Sequence, residues 1–558
     1  MARSGVRIDA EGLTKVVDGG ARILDGLSLT ILPGELVAIV GGSGAGKTTL
    51  LEALAGVRLA DTGSVCFDGV DLGTNLAAVR GILGYVPQDD IIHAELPLER
   101  TLQYVARLRL PPTATKDDRQ AAITRAMTAL NLAQRAQVRV GALSGGQRKR
   151  ASIAVELITE PQVFFLDEPT SGLDPATSAE LLRVLRQLAD RAATVVFTTH
   201  AVHDLASCDR VVFLAAGGRL AFVGTIDEAL AYFDVDSVEA VYTKLAEDTP
   251  EVWTSRFRDH PAATPPPPPE TPPQPLPKVE RVGRLRQWGV LTSRTFETLT
   301  RNKLTLAILL GSPAMVVAMF AILFKPGAFD VDSPTPSAIV MILFWISFGA
   351  FFFGLTYGLL QICTERAILR REYLVGLDLG SYLLSKISVL LPFLLIVDGM
   401  MIVVLRVLDR LPPADTSTYL SIGLTLALCA TAALALGLLT SAAVRDPSQA
   451  TLALPMLCFP AVLFSGAILP VHVMAPVGAA FSALWPDRWA FEAIGHDLHV
   501  RSLLERGGSP LGPPLIKSYG DAGTSATSTY WLILIAFIVV LFAAAWYVLV
   551  RTSRRSLR

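Results

Sequence analysis

The first half of the chain alternates short apolar runs rich in β-branched residues with amphipathic stretches. The runs at 36–40, 163–166, 194–198 and 210–214 have the length and composition of buried strands. Residues 112–134 and 177–192 carry helical spacing. This alternation predicts an α/β domain with a parallel sheet over residues 1–235. The second half has a different period. A bilayer core needs about 20 apolar residues in a helix, and charge-poor runs of that length fall near 303–324, 335–361, 379–406, 418–441, 449–470 and 529–551. They predict an all-α transmembrane domain over 303–558, with six spans and an outer loop at 471–528.

Two segments join the halves. Ten prolines between residues 261 and 277 rule out helix and strand there, so 236–283 is expected to be a stiff, extended linker. An SH3-type ligand is the alternative use of such a run. Residues 284–302 form an amphipathic pattern, with Leu285, Trp288, Leu291, Phe296 and Leu299 among Arg284, Arg286, Arg294 and Arg301. That pattern suits a connecting helix at the membrane surface or packed on the first domain.

Composition supports this division. The 558 residues are 51% hydrophobic and only 18% charged, too apolar for an ordinary soluble protein. The net charge of −1 gives no reason to expect a nucleic-acid partner. The five cysteines are scattered without metal-ligand or paired spacing. The first residues lack the apolar core of a signal peptide, so the first domain and both chain ends are expected in the cytosol. Arg301, Lys303, Arg366, Arg370, Arg371, Arg445, Arg551, Arg554, Arg555 and Arg558 then lie on the cytosolic side. Arg501, Arg506 and Lys517 in the outer loop weaken that bias without reversing it.

The candidate chemistry is phosphate chemistry. Gly41-Gly42-Ser43-Gly44-Ala45-Gly46-Lys47-Thr48 follows an apolar strand and opens a helix at Thr49. In a phosphate-binding loop of this type the glycines let backbone N–H groups face phosphate oxygens, and the helix N-terminus adds positive potential. Lys47 would neutralise the β- and γ-phosphates, and Thr48 would offer a hydroxyl to Mg²⁺. Asp167 and Glu168 end the apolar run 163–166. Asp167 suits Mg²⁺, and Glu168 can polarise the attacking water. ATP and Mg²⁺ are the cofactors implied.

Between these motifs lies Leu143-Ser144-Gly145-Gly146-Gln147-Arg148-Lys149-Arg150, a second glycine-rich turn opening a helix. It resembles the signature of the ABC ATPases, where it caps the γ-phosphate bound by the opposite subunit. Other markers stand in order. Gln88 resembles the Q-loop glutamine, a further Mg²⁺ contact. Asp174 in Ser171-Gly172-Leu173-Asp174 resembles the D-loop, and His200 resembles the switch histidine at the γ-phosphate. The resemblance implies catalytic roles for Glu168, His200 and Gln88. It also implies an aromatic near Val16–Val17 to stack on adenine, and none is there.

An ATPase followed by six spans resembles the G subfamily (White type) of ABC half-transporters. Tyr85-Val86-Pro87-Gln88-Asp89-Asp90 and Leu143–Ala151 resemble bacterial relatives carrying an extra phosphothreonine-binding domain, a domain expected to be absent here. The resemblance implies ATP-driven export of a hydrophobic or amphipathic substrate such as a lipid, a glycolipid or a drug-like compound. It implies a dimer with a second copy or a related half-transporter, surrounded by membrane lipid, with the bacterial inner membrane as the expected location. A regulatory or mechanotransmitting ATPase without cargo, or an importer, would use the same ATP motifs.

Within the membrane half, Phe344, Phe348 and Phe352 repeat at i, i+4 and i+8 on one helix face. They are candidates for the substrate cavity, or else for lipid-facing and helix-packing aromatics. Asp398 stands mid-span, where a charge is costly, and is a candidate for substrate or proton handling. Glu365, Arg371 and Glu372 follow the second span and are candidates for coupling to the ATPase.

Overall fold

The computed structural model describes residues 5–17, 19–89, 91–263, 282–507 and 509–555. The chain forms two units. One is built on residues up to Val290 and takes in Arg370–Leu377 and Arg554–Arg558; the other comprises Leu291–Leu369 and Asp378–Ser553.

The first unit contains two sheets. Strands β1 (Ile8–Val16), β2 (Arg22–Ile31), β3 (Leu36–Gly41), β4 (Thr62–Phe67), β5 (Val70–Asp71), β6 (Leu83–Val86), β7 (Val163–Leu166), β8 (Thr194–Thr198), β9 (Arg210–Ala215) and β10 (Arg219–Gly224) follow in chain order. The antiparallel sheet runs β2-β1-β4-β5, and the larger one β10-β9-β3-β8-β7-β6. In the larger sheet β9, β3, β8, β7 and β6 are parallel, and β10 closes an antiparallel hairpin on β9. Central strands of a parallel sheet are covered on both faces, and every residue of β3, β7 and β8 is buried. The register Val37↔Val196 and Phe164↔Val195 brings the C-terminal ends of β3, β7 and β8 to one edge. Loops at such an edge form the usual binding crevice of open α/β sheets.

The folded part of this unit continues past residue 235, where the sequence pattern placed the start of a linker. Helices Val238–Glu247 and Pro250–Arg258 follow. Trp253 is fully buried against Phe233, with their ring centroids 5.1 Å apart. Polar neighbours on the exposed side of these short helices hide that apolar contact in the sequence. Most of the proline-rich run lies outside the described residues; Pro261–Ala263 ends the described stretch as a short 3₁₀ turn. The connecting helix is Arg284–Arg301.

In the second unit, five helices among the described residues are long and apolar enough to cross a membrane. Pro336–Leu359, Leu379–Val407, Thr416–Ala443, Pro447–Phe464 and Thr527–Arg555 cover five of the expected spans. The expected first span is the helix Lys303–Leu323, which contains Pro313. The 471–528 segment holds four short α-helices among the described residues: Pro476–Ser482, Pro486–Asp497, Val500–Arg506 and Gly512–Tyr519.

Small residues set the closest helix pair. A Cβ on Gly354 would lie 2.2 Å from the Ala430 carbonyl oxygen, and one on Gly437 would lie 2.4 Å from that of Leu355. Helices Pro336–Leu359 and Thr416–Ala443 therefore meet backbone to backbone, the small-residue packing that membranes favour. Ile396, Val403, Leu420, Met456, Phe459 and Val539 stay exposed on the helix surfaces, as lipid-facing residues would.

Candidate ATP site and membrane unit

The phosphate loop runs from the end of β3 into helix Lys47–Leu54. Gly46 caps that helix at φ 91°, and a Cβ there would lie 2.7 Å from the Ile23 carbonyl oxygen. Both the backbone angle and the space demand glycine. The Lys47 ammonium is tucked into the loop, donating to the carbonyl oxygens of Gly41 and Gly42, each at 3.0 Å. Burial pulls its pKa below the usual lysine range. An anion in the loop would offer this ammonium a stronger partner than two carbonyls.

The Thr48 hydroxyl donates to Asp167 Oδ1 at 3.2 Å. Thr198, at the end of β8, donates to the same oxygen at 2.6 Å. Burial pushes the Asp167 carboxyl above the usual aspartate range, against the hydrogen bonds from Thr198 and Thr48. A hydroxyl and a carboxylate oxygen on one spot form an all-oxygen donor set that fits Mg²⁺. Bound there, the ion would offset charge on the phosphates.

Glu168 adopts φ +45°, a left-handed turn directly after β7. That turn sets one carboxylate oxygen 3.0 Å from Gln88 Nε2 and the other 2.6 Å from His200 Nε2. Two candidates, Gln88 and His200, thus converge on the carboxylate of a third, and the three come from separate strand ends. Thr198 joins both acids, since its hydroxyl also accepts the Glu168 backbone N–H at 2.9 Å. Sequence patterns did not single out Thr198; its place two residues before His200 at a strand end was the available signal. Lys149 was also missed as a site residue. Its ammonium donates to the Gln88 carbonyl oxygen at 2.6 Å and fixes the base of the Q-loop.

Ser144 caps helix Gly145–Leu157 through a capping box with Gln147. Around Gly146 the near neighbours are Thr177 and Leu173. Asp174 caps helix Pro175–Asp190, accepting from the amides of Ala176 and Thr177, and the Thr177 hydroxyl bond holds its pKa down. Among the described residues, no hydrogen bond links Ser144–Gln147 to the phosphate loop. Val16 and Val17, at the expected adenine position, are 40% and 38% exposed.

Family models match both halves. The ABC transporter model matches residues 24–171, and the ABC-2 type transporter model matches residues 286–496. The chain belongs to the ABC transporter family. As an ABC transporter chain, it carries an ABC ATPase domain followed by the helical domain of an integral, multi-pass membrane protein. It is 33% identical over 96% of its length to the ABC transporter ATP-binding/permease protein Rv1747 of Mycobacterium tuberculosis, and spans 61% of that protein. It is 37% identical to Protein scarlet of Drosophila melanogaster over 38% of this chain and 33% of that one. The same holds for the broad substrate specificity ATP-binding cassette transporter ABCG2 of Bos taurus, again 37% identical over 38% of this chain and 33% of that one. A solved ATP binding subunit of an ABC transporter aligns over 43% of this chain and 99% of its own, at 24% identity and a TM-score of 0.39.

In the membrane unit of this ABC transporter, Phe344, Phe348 and Phe352 form one row, with Phe344 and Phe348 stacked at 5.7 Å and Phe348 and Phe352 tilted at 6.1 Å between centroids. Phe344 is fully buried, while Phe348 and Phe352 are half-buried. Glu365 stays within this unit, where it accepts from Lys386 at 2.7 Å and from the Tyr382 hydroxyl at 2.9 Å. Arg371 and Glu372 belong instead to the ATPase unit. There Arg371 lies 3.9 Å from Glu156, which also pairs with Arg109 at 2.8 Å. Asp398 is 2% exposed, and neither of its oxygens has a hydrogen-bond partner among the described residues.

Proposed function

We propose that the chain hydrolyses Mg·ATP and uses the energy to export a hydrophobic or amphipathic molecule, as a dimer of half-transporters. The observation that carries the proposal is the convergence of Gln88 and His200 on Glu168, beside the Thr48–Asp167 pair. Glu168 would take the attacking water, while His200 and Gln88 orient it and sense the γ-phosphate. Lys47 and Thr48 would hold the phosphates and the ion. The signature turn at Ser144–Gln147 makes its contacts away from this centre, which supports its completing the site of a second copy.

Six helices, Lys303–Leu323 included, would cross the membrane, with both ends of this chain in the cytosol and the 471–528 segment outside. The bacterial relative supports a bacterial inner membrane. The aromatic row and the exposed apolar helix surfaces support a lipid, a glycolipid or a drug-like cargo. Arg371 and Glu372 would relay closure of the ATPase to the membrane helices.

The test is reconstitution of the purified chain in liposomes with lipids and amphipathic compounds. Stimulated ATP turnover with vectorial movement of a compound, both lost in Glu168→Gln, is the expected result. ATP turnover that answers only to a partner protein, with nothing moved, would instead establish a regulatory ATPase.

A further inference from the structure

Two carboxyls in the membrane unit lack the partners that buried charges need. Asp487 is 0% exposed and Asp398 is 2% exposed. All four of their carboxyl oxygens are without a hydrogen-bond partner among the described residues. Buried polar groups are nearly always paired, so orphans of this kind call for an explanation. Asp487 sits in the first turn of Pro486–Asp497, where its own amide and that of Arg488 favour the charged form against the larger effect of burial. Its helix packs on Pro336–Leu359 and Thr416–Ala443. Asp398 lies on Leu379–Val407, which packs against the same two helices. One turn further along, Met401 Sδ would lie 3.6 Å from a Cβ on Gly349.

The buried Cys429 thiol lies on Thr416–Ala443, which both carrying helices pack against, and its sulfur lies 3.9 Å from the Ser347 carbonyl oxygen. Trp485, two residues before Asp487, has a buried indole N–H that is also without a partner among the described residues. Few other ionisable groups lie on the helices packed against the two acids. Pro336–Leu359, Thr416–Ala443 and Pro447–Phe464 carry no charged residue; the last two contribute the thiols of Cys429 and Cys458. Lys303 lies at the far end of its helix, and Lys386 is held by Glu365. Arg406 stands two turns beyond Asp398. On the Asp487 side, Arg488 is taken by Glu492 and Ser482. Arg501 pairs with Glu505 and Asp497 accepts from Ser421, while His496 meets the Gly523 carbonyl. No group of three or more ligating side chains suited to a metal occurs among the described residues. A proton on each carboxyl removes the charge that burial makes costly.

We propose that Asp398 and Asp487 each bind a proton and that this occupancy is linked to the transport cycle. In this arrangement each carboxyl carries a proton, because both are buried and no cation pairs with them among the described residues. When the helices move apart on the ATPase cycle, water reaches the acids and accepts the protons. Return to the packed arrangement takes them back. Burial pushes the Asp487 carboxyl up to about 8, so this exchange falls within the range of ordinary media. The proposal rests on the ATP-driven cycle of the previous section, and its test separates the two.

The full chain is reconstituted with its ATPase domain facing the bath, at constant bath pH. The pH inside the vesicles, the outer side of the protein, is varied from about 6 to about 9. Turnover is expected to fall as that inner pH rises through about 8, approaching about tenfold per pH unit at the steep end. Asp398→Asn/Asp487→Asn, which holds both sites in a neutral form, should flatten the profile. Asp487→Glu should keep a profile displaced along the pH axis. Gel filtration and the thermal shift on Mg·ATP show that each variant folds. A wild-type profile that is flat, or one unchanged in the double variant, would overturn the proposal. So would a pH-independent loss confined to cationic compounds, which would make the acids counter-ions for cargo. A normal pH profile with no compound moved would count against export alone.

Discussion

The Glu168 carboxylate lies 2.6 Å from the His200 imidazole, with Gln88 3.0 Å from its other oxygen. The acid expected to activate water is thus held by the two residues expected to sense the γ-phosphate. Binding of ATP would redirect all three side chains.

Glu168→Gln keeps the size and the two contacts but removes the base. ATP turnover should drop by about 100-fold or more, while nucleotide binding persists. Phosphate release measured beside binding of a fluorescent ATP analogue checks both parts.

Thr198 is fully buried and serves both acids, donating to Asp167 and accepting from the Glu168 amide. Thr198→Val removes the hydroxyl at nearly constant volume. It should cost about 1–3 kcal/mol of stability and raise the Mg²⁺ concentration needed for half-maximal turnover. Thermal melts and an Mg²⁺ titration read the two effects.

Asp167 gives a pH prediction. Its carboxyl holds a proton more tightly in the folded chain than in the unfolded one, because burial disfavours the charge. The group therefore costs stability as pH rises from the unfolded to the folded pKa, and the full cost remains above the latter. Asp167→Asn should raise the melting temperature of the nucleotide-free chain at neutral pH. The gain should fade in acid, and the shift caused by Mg²⁺ with ATP should be lost. Melting curves across pH check the sign.

Lys386 is 2% exposed in its side chain and pairs with Glu365 at 2.7 Å. Lys386→Met would strand a carboxylate beside Tyr382 and should destabilise the membrane unit by about 3–5 kcal/mol. Lys386→Met/Glu365→Gln should recover most of that loss. Thermal aggregation in detergent for the complete double-mutant cycle decides the point.

The phosphate chemistry was legible in the sequence because it depends on backbone shape. Gly46 must be glycine beside the Ile23 carbonyl, and that demand writes a motif. The parallel sheet was legible because β3, β7 and β8 are buried on both faces and read as unbroken apolar runs. Contacts between distant positions were not legible. Nothing local marks Lys149 as the support of Gln88, or Trp253 as part of the ATPase core. Asp487, in Trp485-Pro486-Asp487-Arg488, looks like an ordinary loop acid until its burial is seen. Nor did the sequence mark Lys386 as the partner of Glu365, or Glu156 as the neighbour of Arg371.

The claim that each ATP is closed by two copies can be tested in a tandem fusion of two chains. Lys47→Ala in one copy and Ser144→Arg in the other should both damage one shared site and leave the second able to turn over ATP. Placing both substitutions in the same copy should damage both sites and abolish turnover. The reverse pattern, with activity surviving only when both changes share a copy, would show that each chain closes its own nucleotide and would contradict the account.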